Sequence, residues 1–152
     1  MNKSQIRDQI KETRRRLVRE EAGRLGLDSA LICRKIESMP EFRSARIVLS
    51  YTPLKGEVDV TLLDCSGKTV ILADCDWTAI PAGEIDFAII PGVAFARMQS
   101  GGFMRLGRGG GYYDRLIPLL HCPKVAPSFS FQMFDALPCD EWDCPVDAVV
   151  LP

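Results

Sequence analysis

Four short apolar runs constrain the fold of this chain more than anything else in it. Residues 45–51 (ARIVLSY), 69–73 (TVILA), 85–90 (IDFAII) and 147–151 (DAVVL) are rich in β-branched residues, bounded by turn formers, and free of strict alternation between apolar and polar positions. A strand with one wet face alternates with a period of two, so these runs predict strands buried on both faces. Helical or irregular stretches separate them. That order predicts an α/β fold, a three-layer sandwich around a mostly parallel, Rossmann-like central sheet. With 152 residues the chain can bury a core without disulfides or structural metal, and a single domain spanning 1–152 is expected.

The segment from Ser4 to about Arg24 is rich in helix formers, with Ile6, Ile10, Leu17 and Val18 as a thin apolar stripe among charges. After Gly26, Asp28 or Ser29 can cap a second helix running to about Met39, where Pro40 supports a stop. Residues 74–84 form a short polar link. Residues 91–111 differ, holding seven glycines without periodicity between a strand and a helix expected at 112–120. A long glycine-rich connection inside a compact α/β chain reads as a binding loop.

Composition removes several function classes. The chain is 47% hydrophobic and 26% charged, an ordinary globular mixture, and its net charge of -1 exerts no global pull toward nucleic acid. Lys3, Arg7, Lys11, Arg14, Arg15, Arg16, Arg19 and Arg24 crowd the N-terminal segment without interleaved aromatics, which does not favour an RNA contact. No stretch approaches the roughly 20 apolar residues that span a bilayer, and the polar N-terminus lacks a signal-peptide core, so a cytoplasmic protein without a membrane partner is expected. The six cysteines lack C-x-x-C spacing and are expected as small buried hydrophobes. The one histidine, His121, is expected to end a helix facing solvent, leaving histidine-based nucleophilic catalysis without a candidate.

The most informative stretch is Arg105-Leu106-Gly107-Arg108-Gly109-Gly110-Gly111-Tyr112-Tyr113-Asp114-Arg115. Glycines let a backbone approach a ligand so closely that consecutive N–H groups converge on phosphate oxygens, and a helix starting at their end adds a dipole of the same sign. Arg105 and Arg108 supply always-charged donors matched to phosphate. A carboxylate beside such a cradle calls for a cation, which makes Asp114 the first candidate ligand for Mg. No G-K-[ST] follows, so this is not a Walker A loop, and the G-x-G-x-x-G spacing of a dinucleotide site is absent. A glycine-rich turn with surface arginines is the equal alternative from residue types alone.

RLGRGGGYYDR, preceded by Ile90-Pro91-Gly92-Val93-Ala94-Phe95, resembles the signature of the 5-formyltetrahydrofolate cyclo-ligase (methenyltetrahydrofolate synthetase) family. Lys3 with Arg7, Glu57-Val58-Asp59, and Pro145-Val146-Asp147 match the same family in the same order. The resemblance implies an ATP site built from both ends of the chain, with Lys3, Arg7, Arg105, Leu106, Gly107, Arg108, Gly109, Gly110, Gly111, Tyr112 and Tyr113 around the nucleotide. It implies Arg108 and Asp114 as catalytic residues, Asp114 and Asp147 as carboxylates near Mg, and Thr52, Glu57 and Tyr112 against a reduced folate. Residue by residue, plainer readings stand beside these: a solvated basic helix face for Lys3 and Arg7, an ordinary loop acid for Glu57, an exposed strand end for Asp147, and half-buried packing for the tyrosines. Trp77 and Trp142 read as packing or pocket-rim residues.

The implied reaction is ATP-dependent closure of 5-formyltetrahydrofolate to 5,10-methenyltetrahydrofolate, with ADP and phosphate released and no protein nucleophile required. The oligomeric expectation is a monomer or weak homo-oligomer. Residues 74–84 are shorter than the insert the family pattern places there, and Ala96 and Arg97 stand where that pattern has an aspartate. A catalytically impaired nucleotide-binding or regulatory homologue with a shortened folate wall is therefore the alternative.

Overall fold

The computed structural model describes residues 1–152. Asn2 starts α1 (Lys3–Glu20) through reciprocal bonds with Gln5: the Gln5 N–H donates to Asn2 Oδ1 and the Asn2 N–H to Gln5 Oε1, each at 2.8 Å. The backbone breaks at Glu21 (φ -138°, ψ 36°), and α2 follows at once (Ala22–Glu37). The second helix therefore begins earlier than expected. It runs through Gly23 and Gly26, where nothing lies within 4 Å of an added Cβ, because Ser29, Ile32, Cys33 and Ile36 anchor it as a buried stripe. Pro40 opens a short α3 (Pro40–Ser44).

Seven strands follow in chain order: β1 (Ile47–Ser50), β2 (Thr69–Leu72), β3 (Phe87–Ile89), β4 (Ala94–Arg97), β5 (Phe103–Leu106), β6 (Lys124–Pro127) and β7 (Ala148–Val150). Five of them form a parallel sheet in the order β2-β1-β3-β6-β7. The expected three-layer α/β architecture is observed. β6 is a strand the sequence did not suggest, since a four-residue segment flanked by Pro123 and ending in Pro127 gives little pattern. Residues 91–111 are not one long loop either: β4 and β5 pair as an antiparallel hairpin inside them.

β1, β3 and β6 are buried on both faces through alternation along each strand, whereas β2, at the sheet edge, leaves Thr69, Val70 and Leu72 exposed, against expectation, and β7 is half-buried. Val48, Phe87, Ile89 and Val125 pack with Ile32, Cys33, Ile36 and Phe42 on the α2–α3 side. Leu49, Ala88, Ile90 and Ala126 pack with Tyr113, Leu116, Ile117 and Leu120 on the other. That second layer is α4 (Tyr112–Leu116) continued by a 3-10 turn at Ile117–Leu119, with further 3-10 turns at Trp77–Ala79 and Ala82–Glu84. α1 lies on the hairpin, where Ile6 and Ile10 meet Val93, Ala94 and Leu106.

Of the cysteines, Cys33 is buried as expected, and burial pushes its thiol up to about 11; Cys75 and Cys139 are exposed, against expectation. No helix is long and apolar enough to cross a membrane. Phe87 is fully buried and meets Phe42 edge-on at 5.3 Å. Phe87→Ala should lower the unfolding free energy by about 3–5 kcal/mol, measured by urea titration; a loss below about 1 kcal/mol would place the core elsewhere.

Candidate functional site

A parallel sheet ordered β2-β1-β3-β6-β7 reverses direction between β1 and β3, and ligands of such sheets bind beyond the carboxyl ends of the strands at that switch point. A cavity of about 560 Å³ lies there. Tyr51 and Thr52 after β1, Ala73 and Asp74 after β2, and Pro91 and Gly92 after β3 form its floor. The glycine loop, the start of α1 and residues Trp142 and Asp143 form its walls.

The loop leaves its backbone donors open. None of the N–H groups from Gly107 to Asp114 donates to an acceptor within the chain. Gly109 (φ 112°) and Gly111 (φ 74°) hold the left-handed conformations that keep the loop in this shape, and Gly111 caps α4 without a side-chain bond. α4 is only five residues long before the 3-10 turn, so the loop amides, more than a long helix dipole, supply the positive field.

Arg105 departs from the expected free phosphate donor. Its side chain is 6% exposed, its Nε donates to Pro91 O at 2.6 Å, and its guanidinium stacks on Tyr113 at 4.9 Å. Burial pushes its pKa down, with Asp114 at 4.0 Å opposing that shift. A Cβ on Gly107 would stand 2.9 Å from its terminal nitrogen, so the loop rests directly on this buried plane. Arg108 keeps the opposite arrangement, exposed on the cavity wall with its guanidinium unbonded to the chain. Burial also pushes the Tyr113 phenol up, consistent with the expected packing role.

Both chain ends reach the cavity. Arg7 Nε donates to Gly107 O at 2.8 Å, so this arginine fastens α1 to the loop. Lys3 donates to Asp140 at 2.7 Å and to Asp143 at 2.5 Å. Burial alone would lower its pKa, but these two bonds outweigh it and hold the ammonium above its ordinary range. Trp142, 68% exposed, stands 6.0 Å from Lys3 at the rim. Trp77 instead packs against the core under α4.

On the other side, Glu57 is half-buried in a turn where its Oε1 accepts the Leu54 N–H at 2.7 Å. Tyr112 donates its hydroxyl to Cys75 O at 2.8 Å, pinning the short 74–84 link to the glycine loop. Thr52, Glu57 and Tyr112 all line the cavity. Asp114 lines it too, with Oδ1 accepting the Cys144 N–H at 3.1 Å.

Asp147 is the one expected site residue that the structure does not bring there. It sits at the amino end of β7, accepts the Lys124 N–H at 2.8 Å, and lines a separate shallow pocket with His121 and Lys124. Asp86 does the same work at β1, accepting the Ile47 N–H at 2.9 Å; both aspartates satisfy strand-start donors that no neighbouring strand reaches. Asp143 lines the cavity with Asp114 where Asp147 was expected. Sequence reasoning missed Asp143, Asp74 and Tyr51, because acids and aromatics in loops carry no signal until the fold brings them together.

The 5-formyltetrahydrofolate cyclo-ligase family model matches residues 73–152. A 5-formyltetrahydrofolate cyclo-ligase of Escherichia coli (strain K12) is 38% identical over 76 residues; the match takes in 48% of this chain and 40% of that one, less than half its length. The NMR structure of Aquifex aeolicus 5,10-methenyltetrahydrofolate synthetase superposes with TM-score 0.77 at 34% identity, covering 99% of this chain and 89% of that chain. A 5,10-methenyltetrahydrofolate synthetase from Mycoplasma pneumoniae has the same fold, with TM-score 0.79 at 24% identity and 99% of each chain covered.

The loop geometry separates two neighbouring glycines. Gly107→Ala, forced against the Arg105 guanidinium, should lower stability by about 1–3 kcal/mol, whereas Gly110→Ala, with nothing within 4 Å, should change it by less than about 0.5 kcal/mol. Thermal melts of the two variants check this; equal melting temperatures would remove Arg105 as the loop's support.

Proposed function

Because this chain belongs to the 5-formyltetrahydrofolate cyclo-ligase family, we propose that it closes 5-formyltetrahydrofolate to 5,10-methenyltetrahydrofolate in the cytoplasm at the expense of ATP. The observation that carries the reading is the bank of unpaired N–H donors from Gly107 to Asp114, lining the same cavity as Lys3, Arg7 and Arg108. Unpaired amides beside guanidinium and ammonium groups suit a triphosphate, whose oxygens accept hydrogen bonds from such donors.

A formyl oxygen on an amide-like nitrogen is a poor leaving group. Moving the γ-phosphoryl group onto that oxygen, with ADP departing, gives an iminophosphate; the neighbouring folate nitrogen then attacks the formyl carbon, and phosphate leaves with the oxygen. Such a sequence needs positioning and charge neutralisation more than a protein nucleophile. In this reading the loop amides and Arg7 hold the phosphates, and Arg108, whose guanidinium is free, follows the charge on the transferred group. Lys3 joins them by exchanging an aspartate partner for a phosphate. Glu57, Thr52 and Tyr112 face the folate across the cavity.

Asp114 and Asp143 fit Mg in a limited way. The chain has no group of three side chains able to hold a metal ion by themselves, but two wall carboxylates suit an ion that also takes phosphate oxygens. When bound with the nucleotide, Mg would neutralise phosphate charge. Asp147, engaged with Lys124 at the far end of the sheet, does not fit that role.

The test is to incubate the protein with 5-formyltetrahydrofolate, ATP and Mg and follow methenyl absorbance. ATP-dependent product is expected; nucleotide binding without product would favour the impaired homologue. Arg108→Ala and Asp114→Asn should each lower kcat by about 100-fold or more with unchanged circular dichroism, and full activity in either would discredit the site.

A further inference from the structure

α1 carries a third arginine inward. Arg14 follows Arg7 by about two turns, on the same side of the helix, but it is half-buried where a basic helix face would stand free, and it does not line the cavity. Its Nη2 donates to Gly92 O at 3.1 Å, and Gln132 Nε2 donates to the same carbonyl at 2.9 Å. Its stem packs against Gly56, where φ is +85° and an added Cβ would stand 2.9 Å from the Arg14 Cβ. Its Nε is buried without an acceptor, the one such side-chain atom in the chain. Burial pushes the pKa of this guanidinium down, and the carboxylate of Glu57, next to Gly56, is the strongest influence opposing that shift.

A guanidinium whose Nε is buried without an acceptor is costly, and an apolar side chain of similar size would pack at lower cost. Core packing alone therefore does not account for an arginine here. Its contacts are with two segments that line the cavity: Gly92, in the floor after β3, and the turn that presents Glu57, which the proposed function places against the folate.

We infer that Arg14 is a positioning residue for the folate half of the site, bracing the Gly56 turn and the Gly92 carbonyl so that the Glu57 carboxylate meets the substrate in one place. α1 then serves both halves, Arg7 fastening the nucleotide loop and Arg14 the folate wall. This rests on the function proposed above.

The experiment is a double-mutant cycle of Arg14→Met and Glu57→Gln, reading the KM for 5-formyltetrahydrofolate and, by calorimetry, the affinity for a non-hydrolysable ATP analogue. Arg14→Met should raise the folate KM about tenfold, the loss of roughly one charge-assisted hydrogen bond, while analogue affinity changes less than about twofold. In the Glu57→Gln background the same substitution should raise KM far less, because coupled residues are non-additive. Arg14→Lys, which keeps the charge, should recover part of the loss and carries the cycle if the methionine variant does not fold. Equal effects in both backgrounds, or parallel losses of nucleotide and folate affinity, would reduce Arg14 to a structural residue and overturn the inference. If the wild-type protein forms no methenyl product, the proposed function fails separately; the cycle is then read as the dissociation constant of 5-formyltetrahydrofolate, and unchanged binding in Arg14→Met, or no folate binding at all, overturns the inference too.

Discussion

The buried guanidinium of Arg105 is the fixed point on which the site is assembled. One side chain holds the end of β3 through Pro91 O at 2.6 Å, supports the loop at Gly107, and stacks on Tyr113 at the start of α4. The end of β3, the glycine loop and the start of α4 thus share one rigid plane. Only arginine does this: a lysine has no plane to stack and no second nitrogen to place under the loop. With the loop supported from beneath, its amides can stay open toward the cavity without collapsing onto the chain.

The termini close what Arg105 supports. Arg7 ties α1 to Gly107 O, and Lys3 crosses to Asp140 and Asp143 near the other end of the chain. Two aspartates share the Lys3 ammonium and balance its charge at the cavity wall. The hairpin of β4 and β5 gives α1 its seat through Val93, Ala94 and Leu106. It therefore sets the distance between the basic face of α1 and the loop.

Much of this was legible in the sequence. The unbroken apolar runs marked β1, β2, β3 and β7, although the edge strand β2 leaves Val70 and Leu72 exposed, and RLGRGGGYYDR marked the loop. β6 was not legible, because a four-residue strand beside two prolines has no period to read. The hairpin was hidden by the glycines at its turn and at its end. Arg105 and Arg108 look alike in sequence, yet one faces the core and the other solvent, because β5 alternates sides and the loop beyond it does not. Asp147 follows a matching Pro-Val pair but stands at the amino end of its strand, opposite the cavity; Asp143, four residues earlier, reaches the wall because its loop crosses the carboxyl ends.

In the proposed function the open amides of the glycine loop bind a nucleotide's phosphates. An NMR titration of labelled protein with Mg and a non-hydrolysable ATP analogue reads those amides one by one. Saturable shifts of the Gly107, Gly109, Gly110 and Gly111 amides are expected, with Lys124 and Asp147 unmoved. Shifts centred on Lys124 and Asp147, with the loop glycines unchanged at saturation, would contradict that binding.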